Sequence, residues 1–270
     1  MKRYNLLIGA LALVMLSCRG GKSNAQSGLL STNETTKAKV VTMYELPAPL
    51  KDRPEQILYK TGFTISYNAE TKNPNWVAWH LTDAHTNGPH QRKQEIFSED
   101  LSVKSPRATN NDYYNSRYDR GHMCPAGDNK WSSESMRESF LFTNICPQNH
   151  NLNGGDWRAL EELARDWARK YNEIFITCGP IVANPYETIG KYSKIAVPSA
   201  FYKVFLRKTS NSWTSIGFVF PNAAGHRPLM TYMTTVDEVE KLTGIDFFYQ
   251  LPDSVENIIE SDFTVSDWNL

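Results

Sequence analysis

Asp119-Arg120-Gly121-His122-Met123 and, further along, Thr143-Asn144-Ile145-Cys146-Pro147-Gln148-Asn149-His150-Asn151-Leu152-Asn153 hold the chain's densest grouping of chemically capable side chains. Phosphodiester hydrolysis asks for three things: a base to take a proton from water, positive charge for the phosphate oxygens, and stabilisation of the departing oxygen. A histidine with an unperturbed pKa of about 6.5 suits the first task. Arginine offers a forked, permanently charged clamp for the second. Magnesium keeps most of its waters and needs only one or two protein oxygens, so a single asparagine carboxamide can locate it for the third. Taken alone, Asp119-Arg120-Gly121-His122 also fits a polar turn around Gly121 with a hydrogen-bonded histidine.

After the second stretch, from Gly154 or Gly155 to Tyr171, Trp157, Leu160, Ala164, Trp167 and Tyr171 recur at three- and four-residue steps, which predicts an amphipathic helix with this stripe in the core. If that helix begins near Asn153, then Asn153, Glu161 and Arg165 lie along adjoining faces, with a surface Glu161–Arg165 ion pair as the plainer alternative. A second helix is expected over Val236–Thr243, begun by Thr235 or Asp237 and ended by Gly244. Strands are expected at Phe63–Tyr67, Trp76–Leu81, Phe140–Ile145, Glu173–Cys178, Phe201–Leu206 and Ser215–Phe220. Without a regular βαβ alternation, these elements indicate an α+β fold.

The two stretches together closely resemble the DNA/RNA non-specific endonuclease family, through Asp119-Arg120-Gly121-His122-Met123, Asn144-Ile145, Pro147-Gln148, Asn153, Trp157 and Leu160-Glu161. Asn75-Trp76-Val77-Ala78, Gly179-Pro180, Val197-Pro198-Ser199-Ala200 and Thr235-Val236-Asp237-Glu238 extend the likeness from about Tyr59 to Pro252. The resemblance implies a ββα-metal nuclease fold, a mainly antiparallel central sheet flanked by helices. It implies that His122 is the general base and that Asn153 is the direct protein ligand of a hydrated Mg2+, with Mn2+ as the alternative ion. It further implies that Arg120 lies against the phosphate or supports the site, that Glu161 holds the metal's water shell, and that Asn144 fixes the hydrogen-bond network. The family's additional upstream arginine falls near Phe97-Ser98-Glu99-Asp100, where Arg92 and Lys93 compete; Arg92 suits a bidentate grip on phosphate better. DNA and RNA are the implied substrates. A catalytically silent nucleic-acid capture protein and an envelope phosphodiesterase acting on smaller phosphoesters are the rivals.

The other histidines, His80, His85, His90 and His226, have no metal-ligand spacing, and His150 lies close enough to Asn153 to touch the site. Tyr113, Tyr114 and Tyr118 are candidates for stacking on a nucleotide.

The 270 residues carry 29 Lys plus Arg against 29 Asp plus Glu, which excludes retention on nucleic acid by bulk charge but leaves room for a local basic groove. Met1-Lys2-Arg3 followed by the apolar run Leu6 to Leu16 reads as a signal peptide over residues 1–17, too short to span a bilayer. Cys18 at its end resembles a lipoprotein cleavage site, so an exported protein, lipid-anchored in a bacterial cell envelope through Cys18, is expected; a plain secretory signal is the alternative. Residues 18–43 are polar and Gly/Ser/Thr-rich and read as a flexible tether. One domain is expected over 44–255, with a polar tail over 256–270; a homodimer is left open. Of the later cysteines, Cys124 and Cys146 each flank a motif and form the expected disulfide, while Cys178 reads as a buried free thiol. The absence of a CxxC pair argues against a cysteine zinc site.

Overall fold

The computed structural model describes residues 42–270. The expected signal peptide over residues 1–17, the expected lipidation at Cys18 and nearly all of the expected tether therefore lie outside the described residues.

Seven strands form one antiparallel sheet: β1 (Gln56–Tyr59), β2 (Thr64–Asn68), β3 (Asn73–Thr82), β6 (Glu173–Ile181), β9 (Ala200–Lys208), β10 (Trp213–Pro221) and β11 (Met233–Thr234), in that spatial order. Two separate two-stranded ladders complete the β-structure, β4 (Asp119–His122) with β5 (Ile145–Gln148) and β7 (Thr188–Ile189) with β8 (Ile195–Ala196). The helices are α1 (Asp83–Thr86), α2 (Asn110–Tyr113), α3 (Ser133–Ser139), α4 (His150–Gly154), α5 (Asp156–Tyr171), α6 (Val236–Thr243), α7 (Asp253–Ser261) and α8 (Val265–Trp268).

Both faces of the large sheet are covered, so its central strands are apolar at nearly every position rather than at alternate ones. Val77, Trp79 and Leu81 of β3, Ile174, Ile176 and Cys178 of β6, Phe201 and Phe205 of β9, and Phe218 and Phe220 of β10 face one layer. There they meet Trp157, Leu160, Ala164 and Trp167, the stripe of α5. The intervening residues Trp76, Ala78, Phe175, Tyr202, Val204 and Leu206 face the other layer, against Val236 and Val239 of α6 and Ile259 of α7. Each leucine-sized side chain so buried contributes roughly 1.5–3 kcal/mol. Helix α6 is capped as expected: the Thr235 hydroxyl accepts from the Glu238 amide, and the helix closes at Gly244.

Two expectations change here. Phe140–Ile145 is not a strand: Phe142–Asn144 form a 3-10 turn, and pairing begins only at Ile145. The Asn144 amide donates back to the Leu141 carbonyl and the Phe142 amide to the Ser98 carbonyl, and the Asn144 side chain binds the loop after β4, as described below. Residues 256–270 are not a polar tail outside the domain. Part of the stretch is helix α7, and α8 seats Trp268 in the core, edge-on to Trp167 at 4.8 Å, with the Trp167 indole N–H donating to the Trp268 carbonyl at 2.5 Å. One fully buried indole thus holds a mostly polar segment down. Trp268→Ala should lower stability by about 3–5 kcal/mol, the usual range for emptying a core indole site. Urea unfolding should show this as a lower midpoint with an unchanged slope.

Candidate active site

In the ladder of β4 and β5, His122 faces Ile145, Gly121 faces Cys146, Arg120 faces Pro147 and Asp119 faces Gln148. Residues two apart on a strand share a side, so Arg120 and His122 project together. Gly121 lies between them because a Cβ there would stand 2.2 Å from the Gln148 side-chain oxygen. Beyond His122 the chain is fixed by Asn144. Its backbone carbonyl accepts from Met123 N at 2.9 Å and its side-chain oxygen accepts from Cys124 N at 2.9 Å. Its side-chain nitrogen donates to the carbonyls of Cys124 and Ser139, both at 2.8 Å. From α5, the Trp157 indole N–H donates to the His122 carbonyl at 3.2 Å.

The His122 main chain is therefore held by neighbours while its ring is left chemically free. His122 is 8% exposed, with Phe140 edge-on at 4.8 Å and Phe97 at 5.3 Å; its Nε2 is fully buried without a hydrogen-bond partner, so Nδ1 is the ring nitrogen with access to the cleft. Burial, helped by the positive charge of Arg92, lowers its pKa to about 3, so the ring is neutral around pH 7.

A cleft of about 480 Å³ opens beside it, lined by Arg92, Arg120, His122, Asn153, Glu161 and Arg165 among others. The Arg120 guanidinium lies over the Phe97 ring at 5.1 Å and donates to the Asn110 side-chain oxygen at 3.1 Å. Arg92, in the 3-10 turn Arg92–Gln94, lines this cleft and the adjoining hollow, whereas Lys93 lines neither. Tyr113, Tyr114 and Tyr118 line that hollow too; Tyr114 is 79% exposed, whereas Tyr113 is buried and stacks on Phe142.

Asn153 donates its side-chain nitrogen to Asp119 Oδ2 at 2.8 Å, which leaves its side-chain oxygen open as an acceptor. The same Asp119 oxygen lies 3.0 Å from His150 Nδ1. Asn153 belongs to α4 and not to the long helix, which corrects the expectation that one helix carries Asn153, Glu161 and Arg165. The break falls at Gly155, where a Cβ would stand 2.4 Å from the Asn151 carbonyl oxygen.

Glu161 is half-buried in the cleft wall, has no hydrogen-bond partner among the described residues, and its pKa is pushed up to about 7, chiefly by burial. Lys203 is the strongest of the cations that pull the other way. Arg165 does not pair with Glu161; it donates to buried Asp128 at 3.0 Å. Asp128 also accepts from the Trp79 indole at 3.1 Å. Under this group lies Lys203, 1% exposed, its ammonium 4.2 Å from the Trp157 ring centre and 5.5 Å from that of Trp79. Asp128 and Lys203 escaped the sequence reading, and Asp119, though part of the quoted motif, was given no role there. Lys203 did leave a signal, as a charge at an inward position between Phe201 and Phe205.

Cys124 and Cys146 are not bridged: both are free and buried, as is Cys178. Cys146 is paired across the ladder with Gly121, three residues before Cys124, so the two thiols are offset along the hairpin. Among the other histidines, His80 pairs with Glu173 at 2.9 Å and His226 lies 3.2 Å from Asp156, both away from the cleft.

A family model described as DNA/RNA non-specific endonuclease matches residues 42–254. The mitochondrial nuclease EXOG of Xenopus laevis is 37% identical over 203 residues, 69% of this chain and 56% of its own length. Human mitochondrial endonuclease G is 30% identical over 206 residues, 71% of this chain and 69% of its own length. A crystal structure of an EndoG/EndoGI complex, concerned with EndoG inhibition, superimposes with a TM-score of 0.72 at 26% identity, covering 79% of this chain and 92% of that one. The chain thus spans little more than half the length of the Xenopus relative. These relatives overturn the expected location as an exported, lipid-anchored protein of a bacterial envelope, because they are named as mitochondrial nucleases.

The pKa of His122 gives a test of its burial. An unfolded histidine takes its proton near pH 6.5, whereas the folded one resists until about pH 3, so acidification through that window favours unfolding. Asn in place of His122 removes this contribution. In chelator-treated protein, His122→Asn should lose less melting temperature than the wild type between pH 7 and pH 4.5.

Proposed function

The chain belongs to the DNA/RNA non-specific endonuclease family, and on that premise we propose that it is a metal-dependent nuclease that hydrolyses phosphodiester bonds of DNA and RNA without sequence specificity. One observation carries the reading: a neutral imidazole with no hydrogen bond to its ring lines a cleft with arginines, an open carboxamide oxygen and an unpartnered carboxylate.

In this reading His122 Nδ1, the ring nitrogen that is not sealed off by burial, accepts the proton of the attacking water. The ring needs no side-chain partner to orient it, since Phe97 and Phe140 bracket it and Trp157 and Asn144 fix its backbone. A base of such low proton affinity in the free protein becomes more basic once a phosphate's negative charge offsets that of Arg92. Arg120 and Arg92 grip the non-bridging oxygens. They read phosphate, which is common to every nucleotide, so the grip carries no sequence information. Tyr114, exposed at the edge of the adjoining hollow, offers a ring on which any base can stack.

The donor set suits a hard divalent cation. Asn153 presents an oxygen because its nitrogen is committed to Asp119, and Glu161 offers a carboxylate to bound waters. Asn153 would hold magnesium or manganese directly and Glu161 would hold its hydration shell. Such an ion supplies positive charge to the departing oxygen. Lys203, Arg165 and Arg92 favour the ionised form of Glu161 against the effect of its burial.

Cleavage of plasmid DNA and of RNA by the protein with magnesium tests the proposal. EDTA should abolish both activities, and His122→Ala should lower them by roughly two to four orders of magnitude. Measurable binding of nucleic acid by the wild type without cleavage would overturn the reading in favour of capture.

A further inference from the structure

The cleft uses one face of the large sheet, and a second concentration of charge lies on the helices of the opposite face. Asp237 and Glu240 are three residues apart on α6, Glu260 is on α7, and ligand oxygens of all three lie within 4.8 Å of one another. None of the three makes an ion pair among the described residues, and nearby Lys241 is engaged with Glu238. Glu240 Oε1 accepts from the Phe247 amide at 2.7 Å. Glu260 is 5% exposed, and its Oε1 has no partner of any kind while the side chain is directed at the other two carboxylates.

Three apposed carboxylates are unstable as three anions, so protons or a cation must supply compensating charge. The strain shows in the proton affinities: Glu260 is pushed up to about 9 and Glu240 to about 7, by burial and by the surrounding acids, Glu256 and Asp246 included. We propose that Asp237, Glu240 and Glu260 form a structural divalent-cation site that takes calcium and clamps α7 to α6. The ligands are all hard oxygens. Three carboxylates in one place exceed what magnesium recruits, since it takes one or two and keeps its waters, whereas calcium accepts six to eight oxygens at flexible geometry. Asp237 and Glu240 are only half-buried, which leaves a side open for water to complete the shell. The clamp has a structural purpose within reach: α7 brings Ile259 to the sheet, where its carbonyl accepts from Ser215 of β10 at 2.6 Å.

The test is calcium titrated into chelator-stripped protein at pH 7.5, followed by calorimetric binding heat and melting temperature, in the wild type, Glu260→Gln and Asn153→Ala. At calcium about a hundredfold above its dissociation constant, the wild type should gain about 5 °C or more. Asn153→Ala should gain as much, which separates this site from the cleft, and Glu260→Gln should gain almost nothing. Without calcium, Glu260→Gln should melt no lower than the wild type, since a carboxyl pushed up to about 9 is mostly protonated at pH 7.5 and the carboxamide keeps its size. Asp237→Asn serves as a second variant with the same expected loss of response. A wild type that shows neither heat nor a shift, or a Glu260→Gln variant that responds like the wild type, would overturn the proposal and leave a cluster that shares protons.

Discussion

One carboxamide, that of Asn144, fixes where His122 can be. Its three hydrogen bonds reach the amide and carbonyl of Cys124 and the carbonyl of Ser139, all buried, and its own carbonyl adds a fourth to Met123. Each is worth about 1 kcal/mol net, yet leaving any of those buried groups unpaired would cost about 1–3 kcal/mol. The segment after β4 therefore has one acceptable path. Because the path is set through the backbone, the imidazole can do without an anchoring acceptor, and Nδ1, the ring nitrogen that is not fully buried, stays unengaged.

Beneath that frame lies an electrostatic arrangement that the overall charge balance conceals. Lys203 projects from the middle of the sheet between two indoles, and each indole reaches the cleft's framework through its N–H: Trp157 to the His122 carbonyl, Trp79 to Asp128. Asp128 in turn receives Arg165. Burying a lone ammonium is costly, and here the faces of two aromatic rings and nearby acids offset the cost. The sheet is thus part of the site's charge balance as well as its support.

These features explain what the sequence revealed and what it hid. Helices α5 and α6 were legible because apolar periodicity and end signals agree there: the Trp157-Leu160-Ala164-Trp167 stripe in one, Thr235 and Gly244 in the other. The central strands were legible because burial on both faces makes them apolar throughout. The residues of the cleft were named through recurring motifs, but their geometry was hidden wherever a single contact decides it. Gly155 breaks the helix register and puts Asn153 on its own turn. Asn144 turns an apparently strand-like run into a turn and a staple. Trp268 converts a polar tail into part of the core. The partners of Asp128 and Lys203 come from β3, α5 and β9, a convergence that no local pattern encodes.

The wall of the cleft opposite α5 is built differently from the rest. Residues 83–118 supply Arg92 and Phe97 from a stretch that has only short helical turns. It is pinned near its middle: Ser98 N donates to the Phe140 carbonyl at 3.1 Å, and Asp100 accepts from Thr143 at 2.7 Å and pairs with Lys60 at 2.8 Å. Beyond the pin the chain is tied again, by Ser193 to Arg107 and Asp112 and by Asn110 to Arg120, but the mostly exposed stretch before it, residues 87–96, can change length with little effect on the hairpin bearing His122. Closing a flexible loop grows costlier only logarithmically, by about 0.6 kcal/mol for each doubling of its length. Groove width and reach can therefore vary while His122 and Asn153 keep their places, much as interchangeable jaws are fitted to a fixed vice.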